Sequence, residues 1–124
     1  MSGIETALIS LPLYRNPDWT GKRRLFEDEK FIQVATEISK RFGGGVLHRY
    51  KTESPQGWWW DQGILYRDEL AVFEVDIPAD EASRNWLRDY ARKTLLSLFE
   101  QEAIYLRFVG PVKKLLIKKE KIRP

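Results

Sequence analysis

The order of strand-like and helix-like segments in the sequence, β-α-β-β-α-β, predicts an α+β fold. Apolar residues recur at every second position in four segments, as in strands with one face on a core. They recur at spacings of three and four in two other segments, as in amphipathic helices. Because glycine and proline mark the segment ends, we expect a four-stranded antiparallel sheet with two helices on one face.

The first part of the chain supplies a strand, a loop and a helix. Residues 4–13 alternate apolar and polar side chains and are predicted to form the first strand. Residues 14–24 contain Asn, Pro, Asp and Gly in close succession, which predicts an irregular loop. From Asp28 the apolar spacing changes to three and four residues, which predicts a helix that ends at three glycines, residues 43–45.

Two strands follow the glycines, with a hairpin between them. Residues 46–51 and residues 69–77 both have strand periodicity. Pro78 is expected to end the second of these strands, because proline has no N–H to donate to a neighbour.

A second helix and a last strand complete the pattern. Asp80 is expected to cap a helix that runs to about Glu100, and residues 103–109 alternate again. Gly110-Pro111 is expected to close this strand. The complete order is typical of the ferredoxin-like plait, whose first and third strands are central, and these are the two most apolar strands here.

Length and charge indicate a single domain followed by a basic C-terminal tail. A chain of 124 residues fits a single ferredoxin-like domain, placed at residues 1–112, followed by a basic C-terminal tail, residues 113–124. The net charge is +3, and the tail holds six basic residues and one acidic residue, so the body is slightly acidic. Four aliphatic residues are too many for a purely solvated tail, and we expect them to dock on the body or on a second subunit. They are Leu115, Leu116, Ile117 and Ile122.

The composition excludes several kinds of chemistry and suggests a compartment. There is no cysteine, which excludes disulfides, thiolate nucleophiles and cysteine metal sites. The first residues lack a signal-peptide pattern, and no stretch approaches the ~20 apolar residues that cross a bilayer. We therefore expect a cytoplasmic protein with no membrane partner.

Four short pieces of the sequence resemble an uncharacterised bacterial family, known as a domain of unknown function, with a ferredoxin-like plait. The resemblance spans most of residues 5–110 and depends on the order and spacing of the pieces. It implies the fold and no activity. The pieces are Arg41–Gly45, Gln56–Trp58, Gly63-Ile64 leading to Glu69, and Phe99–Ala103.

Three consecutive tryptophans, Trp58, Trp59 and Trp60, lie in the hairpin. Side chains alternate along a strand, so Trp58 and Trp60 are expected on one side and Trp59 on the other. In one interpretation these aromatics cap the sheet and shield the helix ends. In the other, at least one of them is exposed and anchors a partner, as Trp does in interface hot spots.

The hairpin turn sets which residues pair across it. We expect a three-residue loop with Gly63 in the left-handed conformation that forms a bulge. This loop pairs Trp60 with Ile64 and places Trp58 opposite Tyr66, an aromatic pair that stabilises a hairpin by ~0.2 to 1 kcal/mol.

The sheet face without helices is predicted to be mixed, apolar and charged. A break near Ser54-Pro55 would turn Val46, His48 and Tyr50 inward, because an unbroken register places Arg49 and Lys51 on the helix-covered face. Cross-strand ion pairs with Glu74 or Asp76 are a purely structural explanation for these two cations. The expected open-face residues are Leu8, Ser10, Leu47, Arg49, Lys51, Val72, Glu74, Tyr105 and Arg107.

The titratable residues show no motif for catalysis or metal binding. His48 is the only histidine, and no acid or nucleophile accompanies it at a fixed spacing. Five carboxylates near the hairpin also lack the spacing of a metal site, so we predict no metal and no cofactor. These are Asp61, Asp68, Glu69, Glu74 and Asp76.

Together these features favour a non-enzymatic interaction module that self-associates, as a dimer, and binds a partner such as a protein through the open sheet face and the aromatic hairpin. The expected binding residues are Trp58, Trp59, Trp60, Tyr66, Arg49, Tyr105 and Arg107. One alternative is nucleic-acid or nucleotide binding by basic residues and an exposed Trp, although the recognisable RNA-binding signature is missing. Another is a small hydrolase or nuclease that uses His48 with Glu74 or Asp76.

Overall fold

The computed structural model describes residues 3–50 and 53–119. Its strands are β1 (Ile4–Pro12), β2 (Val46–His48), β3 (Gln56–Asp61), β4 (Ile64–Pro78) and β5 (Tyr105–Val112). Its helices are α1 (Asp28–Phe42), α2 (Glu81–Tyr90) and α3 (Leu96–Leu98), and a π-helical turn, Ala91–Leu95, joins the last two. Within these residues, no helix has the length and apolar character that a membrane span requires.

The strands form one antiparallel sheet in the order β2-β4-β1-β5, with β3 also paired to β4. The predicted connectivity is confirmed, and the predicted first and third strands, β1 and β4, are central. The sheet has five strands instead of four, because β4 is 15 residues long and pairs with β2 at one end and β3 at the other. The second strand was predicted at residues 46–51, but β2 ends at His48. Lys51 lies outside the described residues.

The core lies between the sheet and the helices. Ile9 pairs with Phe73 and Ala7 with Val75 across the two central strands, and all four side chains are buried on the helix side. The spacings of three and four in the helices bring apolar residues down onto this surface. They include Phe31, Val34, Ile38 and Leu87, and they are joined by Leu95 from the π-helical turn and by Phe99 just after α3.

The helix ends agree with the sequence signals. Helix α1 begins at Asp28 and ends before Gly43, which has a positive φ of 97° and donates its N–H to the Ser39 carbonyl. The Asp80 carboxylate accepts a hydrogen bond from the Ser83 N–H, so the predicted cap is confirmed. The predicted single helix to about Glu100 is interrupted by the π-helical turn and ends at Leu98.

The last strand extends further than predicted. Gly110-Pro111 does not close it, since β5 continues to Val112. The pairing of β1 with β5 shifts register between Ile4 and Thr6, opposite this dipeptide. A Cβ at Gly110 would lie 2.8 Å from the Glu5 Cβ, so glycine permits the close approach of the two strands.

Candidate functional site

A two-residue turn connects β3 to β4. Gln62 and Gly63 have φ angles of 49° and 79°, as in a type I′ turn, whose twist matches that of the flanking strands. Asp61 therefore pairs with Ile64. The predicted three-residue loop is wrong, because Gln62 adopts the left-handed conformation as well as Gly63 although it is not a glycine. Two successive left-handed residues close the turn one residue earlier.

The shorter turn moves every cross-strand pair by one residue. Trp60 pairs with Leu65 instead of Ile64, and Trp58 pairs with Arg67 instead of Tyr66. The partner of Tyr66 is Trp59. The expected separation of Trp59 from its two neighbours is unaffected, because it depends only on strand alternation.

One side of the hairpin, here called the tryptophan side, exposes three large apolar residues. Trp58, Trp60 and Leu65 are 55%, 72% and 57% exposed. The Arg67 guanidinium lies 5.7 Å from the centre of the Trp58 ring and covers part of it. Trp58 and Trp60 therefore do not shield the helix ends, and the interpretation that they are exposed describes them correctly.

The opposite side of the hairpin continues the open face of the sheet. Trp59 is 37% exposed and is the least exposed of the three tryptophans. Its indole N–H donates a 2.9 Å hydrogen bond to Asp68, and its ring lies 6.2 Å from that of Tyr105 on β5. A Cβ at Gly57 would meet the Trp59 ring at 2.7 Å, so glycine leaves the space in which this indole lies.

A cleft of about 470 Å³, here called the aromatic cleft, lies where the hairpin joins the sheet. Trp59 and Tyr105 contribute aromatic walls, and Asp68 and Glu102 contribute carboxylates. Sequence reasoning missed Asp68 and Glu102 as site residues, because three separate segments must fold together before they share a surface. The remaining lining residues are Ser10, Pro12, Asn16, Leu70, Gln101, Ala103 and Ile104.

Six of the predicted open-face residues occupy that face. Leu8 is flanked by Glu74 on β4 and Arg107 on β5, and Ser10 by Val72 and Tyr105. The open face thus combines a carboxylate on the central strand β4 with an arginine and an aromatic ring on the edge strand β5.

Arg49 does not lie on the open face, contrary to the prediction. Leu47, which was also expected on the open face, pairs with Phe73 and packs against the core. Val46 and His48 were expected to turn inward, but they pair with Glu74 and Val72 and take the open face. Arg49 instead places its guanidinium 4.5 Å from the centre of the Phe31 ring and forms an ion pair with Asp28. A long side chain at the rim of the sheet can keep its charge hydrated while its stem covers apolar surface. Arg49 can therefore lie on the helix-covered side without burying its charge.

Two other expectations concern neighbours of Arg49. Tyr50 was expected to turn inward, but it is 50% exposed. Lys51 was expected on the open face and lies outside the described residues. The expected cross-strand pairing of Arg49 with Glu74 or Asp76 is also wrong, because its carboxylate partner is Asp28.

The structure brings His48 to one of its predicted carboxylate partners. His48 Nε2 lies 3.2 Å from Glu74 Oε1, on the open face of the sheet. Within residues 3–50 and 53–119, this is the only hydrogen bond of the histidine side chain. The pair thus provides a base with an orienting carboxylate, without a hydroxyl group hydrogen-bonded to the imidazole.

The tail leaves the sheet at the end opposite the aromatic cleft. Lys114 lines a recess of about 330 Å³ with Glu74 and Asp76. The aliphatic residues Leu115, Leu116 and Ile117 are 72%, 82% and 84% exposed, so docking on the body of the same chain is not observed for them. Ile122 lies outside the described residues.

Among the described residues, no three His, Cys, Asp or Glu side chains are grouped so that they could hold a metal ion. The carboxylates of Asp68 and Glu102 share the aromatic cleft with apolar and aromatic side chains. This lining can bind a ligand by aromatic stacking, apolar contact and negative charge.

No family model matches the chain, and no curated protein matches it. Among solved structures, the chain is similar to the divalent cation tolerance protein CutA1 from Thermus thermophilus, with a TM-score of 0.60 and 10% identity over 90% of this chain and 87% of that one. It is also similar to the divalent ion tolerance protein CutA1 from Ehrlichia chaffeensis, with a TM-score of 0.54 and 8% identity over 93% of this chain and 87% of that one. At these identities the likeness shows a shared fold alone. The resemblance to a domain of unknown function is thus corrected in part, since the fold relationship leads to these proteins.

Proposed function

We propose that the chain is a non-enzymatic, self-associating interaction module, which forms a dimer through its aromatic hairpin. One observation supports this proposal above all others: the two-stranded hairpin exposes large apolar side chains on both of its sides. Each is at least 37% exposed. They are Trp58, Trp60 and Leu65 on the tryptophan side, and Trp59, Ile64 and Tyr66 on the other.

The physical chemistry of such a hairpin favours a protein partner. An isolated two-stranded ribbon is marginally stable in water, and a contiguous exposed apolar patch of this kind marks an interaction site. Tryptophan and tyrosine supply a large contact area with few rotatable bonds, which is why they dominate binding energy at interfaces.

A second copy of the same chain is the partner we propose. A two-fold axis places the same patch on both subunits, so Trp58 and Trp60 of one hairpin would pack on those of the other. The tryptophan side also carries charges of both signs, Arg67 and Glu69, and so permits complementary contacts across such an axis. We place the dimer in the cytoplasm, with the open sheet face available to a further protein.

Sedimentation velocity over a range from low to high micromolar chain concentration tests the proposal. A dimer is expected, with a monomer appearing on dilution if the interface is of moderate affinity. A monomer throughout this range would overturn the proposal. Substitution of hairpin tryptophans then tests whether the hairpin is the interface.

The distance between His48 and Glu74 favours one second candidate function, a hydrolase or nuclease in which the imidazole acts as a base and activates water. The 3.2 Å separation would hold the ring in one orientation. His48→Ala should then abolish any hydrolytic activity of the purified protein. Glu37→Gln is the control, since Glu37 lies on helix α1, which covers the other face of the sheet. Full activity in His48→Ala would exclude this role.

The structure gives less support to nucleic-acid binding than to either of these functions. Trp59 and Tyr105 could stack on bases, but the carboxylates of Asp68 and Glu102 lie beside them and would repel phosphates. Binding of an oligonucleotide that weakens steeply with added salt would favour this alternative. The absence of binding at low salt would eliminate it.

A further inference from the structure

The aromatic cleft combines two rings that meet at an angle. The Trp59 and Tyr105 ring planes are inclined by 56°, with centroids 6.2 Å apart, and both rings border the cleft. The Trp59 ring is fixed from two directions, by its hydrogen bond to Asp68 and by its position across Gly57. Two π-faces held in this way form a surface with negative potential, which attracts a cation.

The charges of the cleft have the same sign as the aromatic faces. Asp68 and Glu102 line it, and no lysine or arginine does so among the described residues. Neither carboxylate has an ion-pair partner in the part of the chain that the structure describes. One Asp68 oxygen accepts the Trp59 N–H, which leaves the other oxygen open to a donor from a ligand.

The floor of the cleft is apolar. The term floor here means the apolar part of the lining, which consists of Pro12, Leu70, Ala103 and Ile104. This surface suits the carbon chain of a ligand, whereas the rings and carboxylates suit a charged group. The volume of about 470 Å³ lies in the range of small-molecule sites and exceeds what an inorganic cation would fill.

We propose that the aromatic cleft binds an organic cation, a guanidinium or alkylammonium group on an apolar chain. The cation lies against Trp59 and Tyr105 and donates hydrogen bonds to the Asp68 and Glu102 carboxylates, while its carbon chain packs on the floor. This inference does not rest on self-association, since Trp58 and Trp60 lie on the opposite side of the hairpin.

This ligand chemistry has two sources. One is a free small molecule. The other is a lysine or arginine side chain of the basic tail, whose exposed aliphatic residues Leu115 and Leu116 would accompany the charge into the cleft. The tail leaves the sheet at Val112, at the far end from Tyr105, so a tail from a second copy or one that folds back would be required.

The test uses butylguanidinium as the probe and butylurea, which is neutral and nearly the same shape, as the matched ligand. Binding is followed by the indole N–H resonance of Trp59, identified by its loss in Trp59→Phe. We expect a saturable shift with butylguanidinium only. No saturable shift, or an equal response to butylurea, would overturn the proposal.

Carboxylate variants test the origin of the selectivity. Asp68→Asn keeps an oxygen that can accept the Trp59 N–H but removes the charge, and Glu102→Gln removes the second charge. Together they should weaken butylguanidinium binding by about tenfold or more. Asp61→Asn, at the hairpin end and outside the cleft lining, is the matched control and should bind as the natural chain does. Equal affinity in the double variant and the control would overturn the proposal.

A full-length variant distinguishes the two sources. If the tail supplies the cation, replacing its basic residues by glutamine should move the Trp59 resonance without added ligand and should strengthen butylguanidinium binding, because a competitor is removed. If a free molecule is the ligand, the resonance and the affinity should remain as they are. The residues replaced are Lys113, Lys114, Lys118, Lys119, Lys121 and Arg123.

Discussion

The rings of Trp59 and Tyr105 lie 6.2 Å apart and connect the hairpin to the edge of the sheet. This contact fixes one side of the hairpin against β5, while the other side leaves Trp60 72% exposed. The run of three tryptophans therefore has two roles. One member shapes a cleft, and the other two form a surface.

Gly57 is expected to control the position of Trp59. In Gly57→Ala, the new Cβ would lie 2.7 Å from the Trp59 ring, so the indole must move away from Asp68 and Tyr105. The indole N–H of Trp59 should then shift and exchange faster with solvent in NMR spectra. Gly3→Ala, whose Cβ would meet nothing within 4 Å, is the control. An unchanged Trp59 resonance in Gly57→Ala would contradict this account.

Arg49 is expected to contribute to stability and not to binding. Arg49→Gln removes the stacking on Phe31 and the ion pair with Asp28, and should lower the free energy of unfolding by about 0.5 to 1 kcal/mol. Arg107→Gln, on the open face, should change it by less than about 0.5 kcal/mol. Urea denaturation measures both. Equal losses of unfolding free energy in the two variants would contradict a stabilising contact between Arg49 and Phe31.

The buried hydroxyl of Tyr90 is expected to be dispensable. It has no hydrogen-bond partner among the described residues, and burial raises the pKa of Tyr90 above its ordinary value. Tyr90→Phe keeps the ring that stacks on Trp86 and should leave the free energy of unfolding unchanged or raise it by up to about 1 kcal/mol. A loss of stability on thermal or urea unfolding would reveal a partner for the hydroxyl.

Asp80 is expected to make stability depend on acid pH. The pKa of Asp80 is lowered because its carboxylate accepts hydrogen bonds from Ser83. A carboxylate with a lowered pKa in the folded state stabilises it above the ordinary pKa of 3.8, and this contribution disappears as the pH falls through the folded-state value. The melting temperatures of the natural chain and of Asp80→Asn should thus differ more at pH 7 than at pH 2. A constant difference would contradict the role of the charge.

The main elements were predictable because periodicity indicates which face of an element is buried. Helix α1 has the predicted boundaries, since Asp28 and Gly43 mark them locally. The hairpin register was not predictable to the residue, because Gln62 adopts a positive φ that its residue type does not indicate. The side taken by Arg49 follows from Leu47 turning to the core, and its contact with Phe31 joins two distant segments, which no local pattern indicates.

The candidate site was predictable only in part. The alternation of side chains along a strand is enough to separate the environments of Trp58 and Trp59. The aromatic cleft was not predictable, because Glu102 follows the second helix while Asp68 belongs to the hairpin, and only the completed sheet brings them together.

Self-association through the tryptophan side of the hairpin is tested most directly by sedimentation velocity of Trp58→Ser and Trp60→Ser beside Trp19→Ser. Trp19 is 96% exposed in a loop and controls for the loss of an exposed indole. We expect each hairpin substitution to weaken the dimer by about tenfold or more and Trp19→Ser to leave its dissociation constant unchanged. A monomeric natural chain, or hairpin variants that associate as tightly as Trp19→Ser, would contradict self-association through the tryptophan side.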